Sequence, residues 1–150
     1  LIESSVDDPR VLVEPWLQDE LVVFASPDHP LVRQGRASVP ELERAAWVLR
    51  ELGSGARTVF HDTCRGALAN LQIAMEFRHN EPIKRAVAKG VGVGCLSARV
   101  LERELIDGTL VALKTPKERK MPRRLAMIRR RDGVLSAPAQ AFWQQCLAMR

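Results

Sequence analysis

WVLRELGSGAR (Trp47–Arg57) and, further along, EFRHNEPIKRAVAKGVGVGCLS (Glu76–Ser97) say most about how this chain folds. In the first, a short apolar strand (Trp47–Leu49) runs into a glycine-flanked serine and then a helical pattern. That order predicts Ser54 as a helix N-cap and leaves the amides of Gly55, Ala56 and Arg57 without intrahelical partners. Free amides at the positive end of a helix dipole, with an arginine in the first turn, form a cradle for a small anion. The second stretch repeats the arrangement: a strand over Ile73–Phe77 runs into Asn80, expected as a second N-cap. Two such junctions in one α/β unit predict a ligand cleft at the strand ends. Nothing in them suggests bond-breaking chemistry.

At 150 residues with 46% hydrophobic content, the chain can build a genuine core in one domain or two small lobes. No apolar run reaches the length of a membrane span, and no basic-then-apolar leader is present. The three cysteines (Cys64, Cys95, Cys146) are odd in number and lack paired motif spacing, which predicts reduced thiols packed in the core of a cytoplasmic protein. The chain opens Leu1-Ile2-Glu3 in what reads as mid-strand, so it is expected to be a fragment lacking its amino-terminal part. Nine of the 23 basic residues lie between Lys114 and Arg131. Such a stripe could touch phosphates. With no aromatic residue interleaved to stack on bases, it reads first as a solvated loop and an exposed strand face.

Outward from the two junctions, strands are expected over Val11–Leu17 and Leu21–Ala25, separated by the polar Gln18-Asp19-Glu20. Ser38-Val39-Pro40-Glu41 is a capping box with proline in the first turn, opening a helix over Val39–Ala46. A helix follows Ser54 over Gly55–Ala69, with Phe60, Cys64, Ala67 and Leu68 on one face, and then a strand over Leu71–Phe77. Ile83, Ala86, Val87 and Gly90 fall on one buried helical stripe. Beyond it come a strand over Val91–Leu96, a helix capped by Ser97 and stopped by Gly108, and short strands at Leu110–Leu113 and Arg124–Arg130. A last helix from Ser136 is expected to bury Ala139, Phe142, Trp143, Cys146 and Leu147. The alternation implies a largely parallel, helix-covered sheet.

These residues resemble the effector-binding region of LysR-type transcriptional regulators. The resemblance is carried by DELVVFASPDHPLV (Asp19–Val32), RELGSGAR (Arg50–Arg57), the Glu76–Ser97 stretch and LERELIDGTLVAL (Leu101–Leu113), which cover most of the chain in order. PWLQDELVVFA and WVLRELGSGAR point to the YeiE-like branch. The resemblance implies a periplasmic-binding-protein-like α/β fold of two lobes joined by crossover strands. Residues 1–25 and 124–150 would form a truncated first lobe with the crossovers, and 26–123 a complete second lobe. It also implies a winged helix-turn-helix that would carry all DNA contacts, a homo-oligomeric full-length protein and no membrane association. One departure is Ala56, where the family's GSGTR pattern has threonine, which would remove a hydroxyl from the cradle.

The candidate effector-binding residues are Ser54, Gly55, Ala56 and Arg57 at the first junction, with Glu51 able to offset the arginine's charge. His79 and Asn80 are placed across the cleft, and Glu3 at the end of a first-lobe strand. The expected ligand is a small carboxylate or sulfur oxyanion, held between lobes. No catalytic residue, metal or cofactor is expected. Gly53-Ser54-Gly55 lacks the spacing of a nucleophile elbow. Gly90 to Gly94 follows a helix and enters a strand, the reverse of a dinucleotide loop. His61 and Cys64, one turn apart, have no second ligand pair. A periplasmic-type solute-binding protein for a small anion remains the alternative.

Overall fold

The structure, a computed structural model, describes residues 2, 7–64, 70–116 and 121–149. The chain divides into two compact units, Leu1–Asp19 with Arg123–Arg150, and Glu20–Pro122. In the larger unit, β2 (Ala46–Arg50) lies between β3 (Gln72–Phe77) and β4 (Val93–Ser97) and is parallel to both. The sheet continues from β4 through β1 (Val11–Ala25) to β5 (Val111–Ala112), with β1 antiparallel to both neighbours. β6 (Met121–Arg130) pairs with β1 off this path. The sheet is thus mixed rather than largely parallel. Helical crossovers through α3 (Gly55–Cys64) and α4 (Asn80–Ala88) return the chain in the same sense and make β2, β3 and β4 parallel. β1 meets β4 and β5 from the other direction.

Both faces of this sheet are buried through β2, β4 and the Leu21–Ala25 end of β1, whereas the edge strand β3 is exposed. Leu21, Val23 and Ala25 of β1 pack with Trp47, Leu49, Val93, Cys95 and Phe60 in one apolar cluster. Phe24, Val48 and Leu96, one step out of phase, pack with Ile83, Val87, Leu101 and Leu110 in another. A period of two sends these sets to opposite faces, each covered by helices. Trp47 fills its site without a polar penalty, because its Nε1–H donates to Leu42 O at 2.8 Å and its ring lies 5.0 Å from that of Phe60. α2 (Val39–Arg44) starts with the expected capping box, Glu41 Oε2 accepting from Ser38 N–H at 2.8 Å. The predicted stripe of α4 holds in part: Ile83 and Val87 are fully buried and Ala86 half-buried, whereas Gly90 is exposed beyond the helix end. Gly90, at φ +79°, ends that helix in a conformation that favours glycine.

Several boundaries differ from the sequence expectation. The two strands predicted around Gln18-Asp19-Glu20 are one strand, β1. Its polar interruption is absorbed because Asp19 is buried against Arg123, whose Nε donates to Asp19 Oδ2 at 2.5 Å, while Gln18 and Glu20 point to solvent. Pro30 opens a one-turn helix that the sequence reading did not place, α1 (Pro30–Arg33). Ser97 is the last residue of β4, laddered to Leu21, and not a cap. Its carbonyl accepts from Val100 and Leu101 N–H in a turn, which delays α5 (Glu102–Ile106). Ala67 and Leu68 lie outside the described residues.

In the smaller unit, α6 (Ala137–Ala148) follows Ser136 as predicted, but its apolar face is largely open. Cys146 is buried, whereas Phe142 is 59% exposed. The described strands of this unit are too few to cover a helix along its length. What holds it is local: Trp16 Nε1–H donates to Cys146 O at 2.7 Å, and the Arg129 guanidinium sits 5.8 Å from the Trp143 ring centroid. All three cysteines are buried.

The tightest approach of backbones lies beside β2. A Cβ placed on Gly92 would collide with the Ala46 carbonyl oxygen. Gly92→Ala is therefore expected to lower stability by about 2 kcal/mol, read as a shifted urea midpoint with an unchanged slope.

Candidate functional site

The carboxyl ends of β2 and β3 lie side by side, in register Arg50↔Phe77, and Glu51 N–H donates to Phe77 O at 3.1 Å. Each strand end leads directly into a helix, α3 after the Leu52-Gly53 turn and α4 after Arg78-His79. Parallel pairing therefore brings both helix starts to the same edge of one unit. His79 and Asn80 were expected across a cleft from Ser54. They are its neighbours, joined through Arg50, whose Nη1 donates to Asn80 Oδ1 at 3.1 Å.

At the start of α3, Ser54 is the predicted cap: its Oγ accepts from Arg57 N–H at 3.2 Å and its carbonyl from Thr58 N–H at 3.0 Å. Of the three amides in the predicted cradle, that of Arg57 is thereby taken. The amides of Gly55 and Ala56 meet no acceptor among the described residues. The Ala56 methyl is turned into the core, and the residue is only 7% exposed. A threonine side chain would leave the same backbone in the same direction. What the alanine offers at the cradle is its N–H.

Arg57 is 3% exposed. Its Nη1 donates to Arg50 O at 3.1 Å and lies 3.8 Å from the Glu76 carboxylate, while its Nε meets no acceptor among the described residues. Burial pushes this guanidinium below its ordinary range, opposed by Glu76. The side chain braces the end of β2 against β3. Glu51, expected to offset Arg57, instead takes Arg50, whose Nε and Nη2 donate to its two oxygens at 2.9 and 3.1 Å. The Arg50 hydrogen bonds hold the Glu51 carboxyl below the usual carboxylate range, with Arg78 adding to the effect.

The start of α4 is built differently from the expectation. The cap position is His79 (φ −125°, ψ 153°), without a side-chain cap bond, and Asn80 is the first helical residue. Asn80 cannot cap, because its side-chain oxygen is committed to Arg50. Pro82 brings no amide hydrogen to this turn. Glu3 lies outside the described residues. Arg50 and Arg78 are the site residues that the sequence reading missed. The available signal was a cation at the very end of an otherwise apolar strand, where a side chain reaches the strand-end opening. Among the described residues, no group of three or more His, Cys, Asp or Glu side chains is placed to hold a metal ion.

Two helix starts thus lie beside parallel strand ends, with amides and guanidinium groups around them, in a mixed α/β domain. The sequence profile of the LysR substrate binding domain matches residues 1–150, and the chain belongs to that family. It is 41% identical over 145 residues to the uncharacterized HTH-type transcriptional regulator YeiE of Escherichia coli K12, covering 97% of this chain and 49% of that protein. It is also 32% identical to the HTH-type transcriptional regulator CysL of Bacillus subtilis, over 71% of this chain and 36% of that one. The chain thus spans about half the length, or less, of these relatives. Among solved structures, the regulatory domain of Synechocystis PCC6803 CcmR in complex with 2-PG aligns with a TM-score of 0.84 at 28% identity, over 99% of this chain and 71% of that one. The effector-binding domain of QuiR with shikimate shares the fold, with a TM-score of 0.80 at 16% identity, over 98% and 68% of the two chains. The fold is accordingly the two-lobe, periplasmic-binding-protein-like fold of LysR effector-binding domains.

The contacts separate a bracing arginine from a solvent-facing pair. Arg57→Leu is expected to cost about 1–3 kcal/mol of stability, since it strips a buried carbonyl of its donor. Glu51→Ala should leave the urea midpoint where it is. Equal effects in denaturation curves would mean that these two roles are misassigned.

Proposed function

We propose that this chain is the effector-sensing part of a cytoplasmic LysR-type transcriptional regulator, and that the paired helix starts of its larger unit take a small anion, a carboxylate or sulfur oxyanion. The observation that carries the reading is the pair of acceptor-free amides at Gly55 and Ala56, capped by Ser54 and flanked by Arg50 and Arg78. Amides at a helix start attract negative charge without needing a mobile side chain. Ser54, Gly55 and Ala56 form the floor of this site, Arg57 holds it in shape, and His79 and Asn80 form its neighbouring edge.

Relatives named as HTH-type regulators, about twice the length of this chain, support a full-length protein that contacts DNA through a helix-turn-helix and works as a homo-oligomer. The 28% identical regulatory domain was solved with 2-PG bound, which supports a sensing role for a small molecule. To switch such a regulator decisively, the effector must favour one state by about 5.5 kcal/mol summed over its sites.

A single substitution tests the site. Proline is well suited to the first helical position and has no N–H, so Gly55→Pro deletes one donor while leaving the helix start intact. It should keep the thermal midpoint close to wild type and weaken the tightest oxyanion of a sulfate, sulfite, phosphate and carboxylate panel about tenfold, or about 1.4 kcal/mol, by calorimetry. Unchanged affinity for that anion would rule the cradle out.

A further inference from the structure

The Arg50 guanidinium is held on two edges. Nε and Nη2 grip both oxygens of Glu51, and Nη1 holds Asn80 Oδ1. A two-pronged contact on one edge is the way an arginine takes any planar or tetrahedral oxyanion. The two anchors differ in kind. Asn80 belongs to the first turn of α4, whereas Glu51 lies in the loop between β2 and α3. The Glu51 backbone is fastened to Phe77 O, but its side chain is partly exposed. Partly exposed pairs of this sort are weakly held, so a competing anion in solution can open them.

The local charge does not balance with Glu51 in place. Arg50, Arg57 and Arg78 face the carboxylates of Glu51 and Glu76, and the buried Arg57 stands 3.8 Å from Glu76 with its Nε lacking an acceptor among the described residues. A singly charged ligand that replaced Glu51 would leave the balance as it is. A doubly charged one would improve it.

Resting on the proposed function, we infer that Glu51 is the site's own counter-ion. In the empty site its carboxylate occupies the free edge of Arg50. A dianionic oxyanion of the sulfate or phosphate class, inorganic or as part of an organic molecule, binds by taking that edge while Glu51 turns to solvent. Asn80 keeps the guanidinium in place during the exchange. Apparent affinity is then set by the fraction of molecules in which Glu51 has let go, as for any ligand that needs a minor state. Halides are discriminated against, because one atom cannot take two parallel N–H bonds.

Inorganic sulfate is the probe, titrated calorimetrically into the 1–150 chain at fixed ionic strength with chloride as the balancing ion. Glu51→Gln should bind sulfate at least threefold more tightly, and Arg50→Gln at least tenfold more weakly. In the double variant the gain from Glu51→Gln should vanish. A measurement on wild type needs no substitution: the side-chain carboxyl carbon resonance of Glu51 should move toward that of free glutamate as sulfate saturates. Unchanged or weaker binding by Glu51→Gln, a gain that survives without Arg50, or a stationary Glu51 resonance overturns the inference. It leaves the helix-start site standing if Gly55→Pro still weakens sulfate binding. Failure of wild type to bind sulfate also overturns the inference, whereas failure to bind any anion of the panel, or indifference to Gly55→Pro, brings down the site and the counter-ion together.

Discussion

Parallel strands cannot be joined by a tight turn, and the larger unit depends on how this chain meets that constraint. β2 and β3 run in the same sense, so each must hand the chain to a crossover before the next strand can pair. The crossovers are helices, and a helix that starts just beyond a strand end leaves its first amides pointing outward. Everything at the site descends from this. Trp47 and Leu49 anchor β2 in one apolar cluster and Val48 in the other, which holds Arg50 at the edge of the sheet. The register of β2 on β3 then sets Phe77 beside Arg50, and the start of α4 follows next to that of α3.

Positive charge near this edge is divided between two arginines with different tasks. Arg57 is withdrawn from water and spends an Nη1 hydrogen on the Arg50 carbonyl. A buried guanidinium is tolerable only where such acceptors compensate for lost hydration. Arg50 lies at the strand end, is partly solvated, and donates to the side chains of Glu51 and Asn80. The one keeps the strand end and helix start together; the other faces the two helix starts.

Much of this was legible before any coordinates. The Ser54 cap, the Ser38–Glu41 box, the buried stripe of α4 and the left-handed stop at Gly90 each follow from short-range chemistry that the sequence displays directly. What was not legible depended on partners far away in the chain. Asp19 looks like a break because its compensation, Arg123, lies 104 positions on. Asn80 looks like a cap because nothing nearby shows that Arg50 claims its oxygen. Whether the second helix start faces the first or adjoins it depends on which strand pairs with which, and periodicity is silent on that. Phe142 was assigned to a buried face by spacing alone, and spacing cannot report whether a surface exists to cover it.

The Asp19–Arg123 pair has a consequence for how the chain avoids misfolding. In a strand, a slip of one residue turns every side chain to the opposite face. Along the Leu21–Ala25 end of β1 such a slip would exchange one apolar set for another, since Val22 and Phe24 are nearly as oily as Leu21 and Val23. A mistake of that kind is cheap and hard to correct. Asp19 makes it expensive. Out of register, the buried Asp19 carboxylate would be parted from the Arg123 guanidinium, an error of about 3–5 kcal/mol. The two charges thus act as a proofreading mark on a strand whose oily residues alone would tolerate more than one alignment.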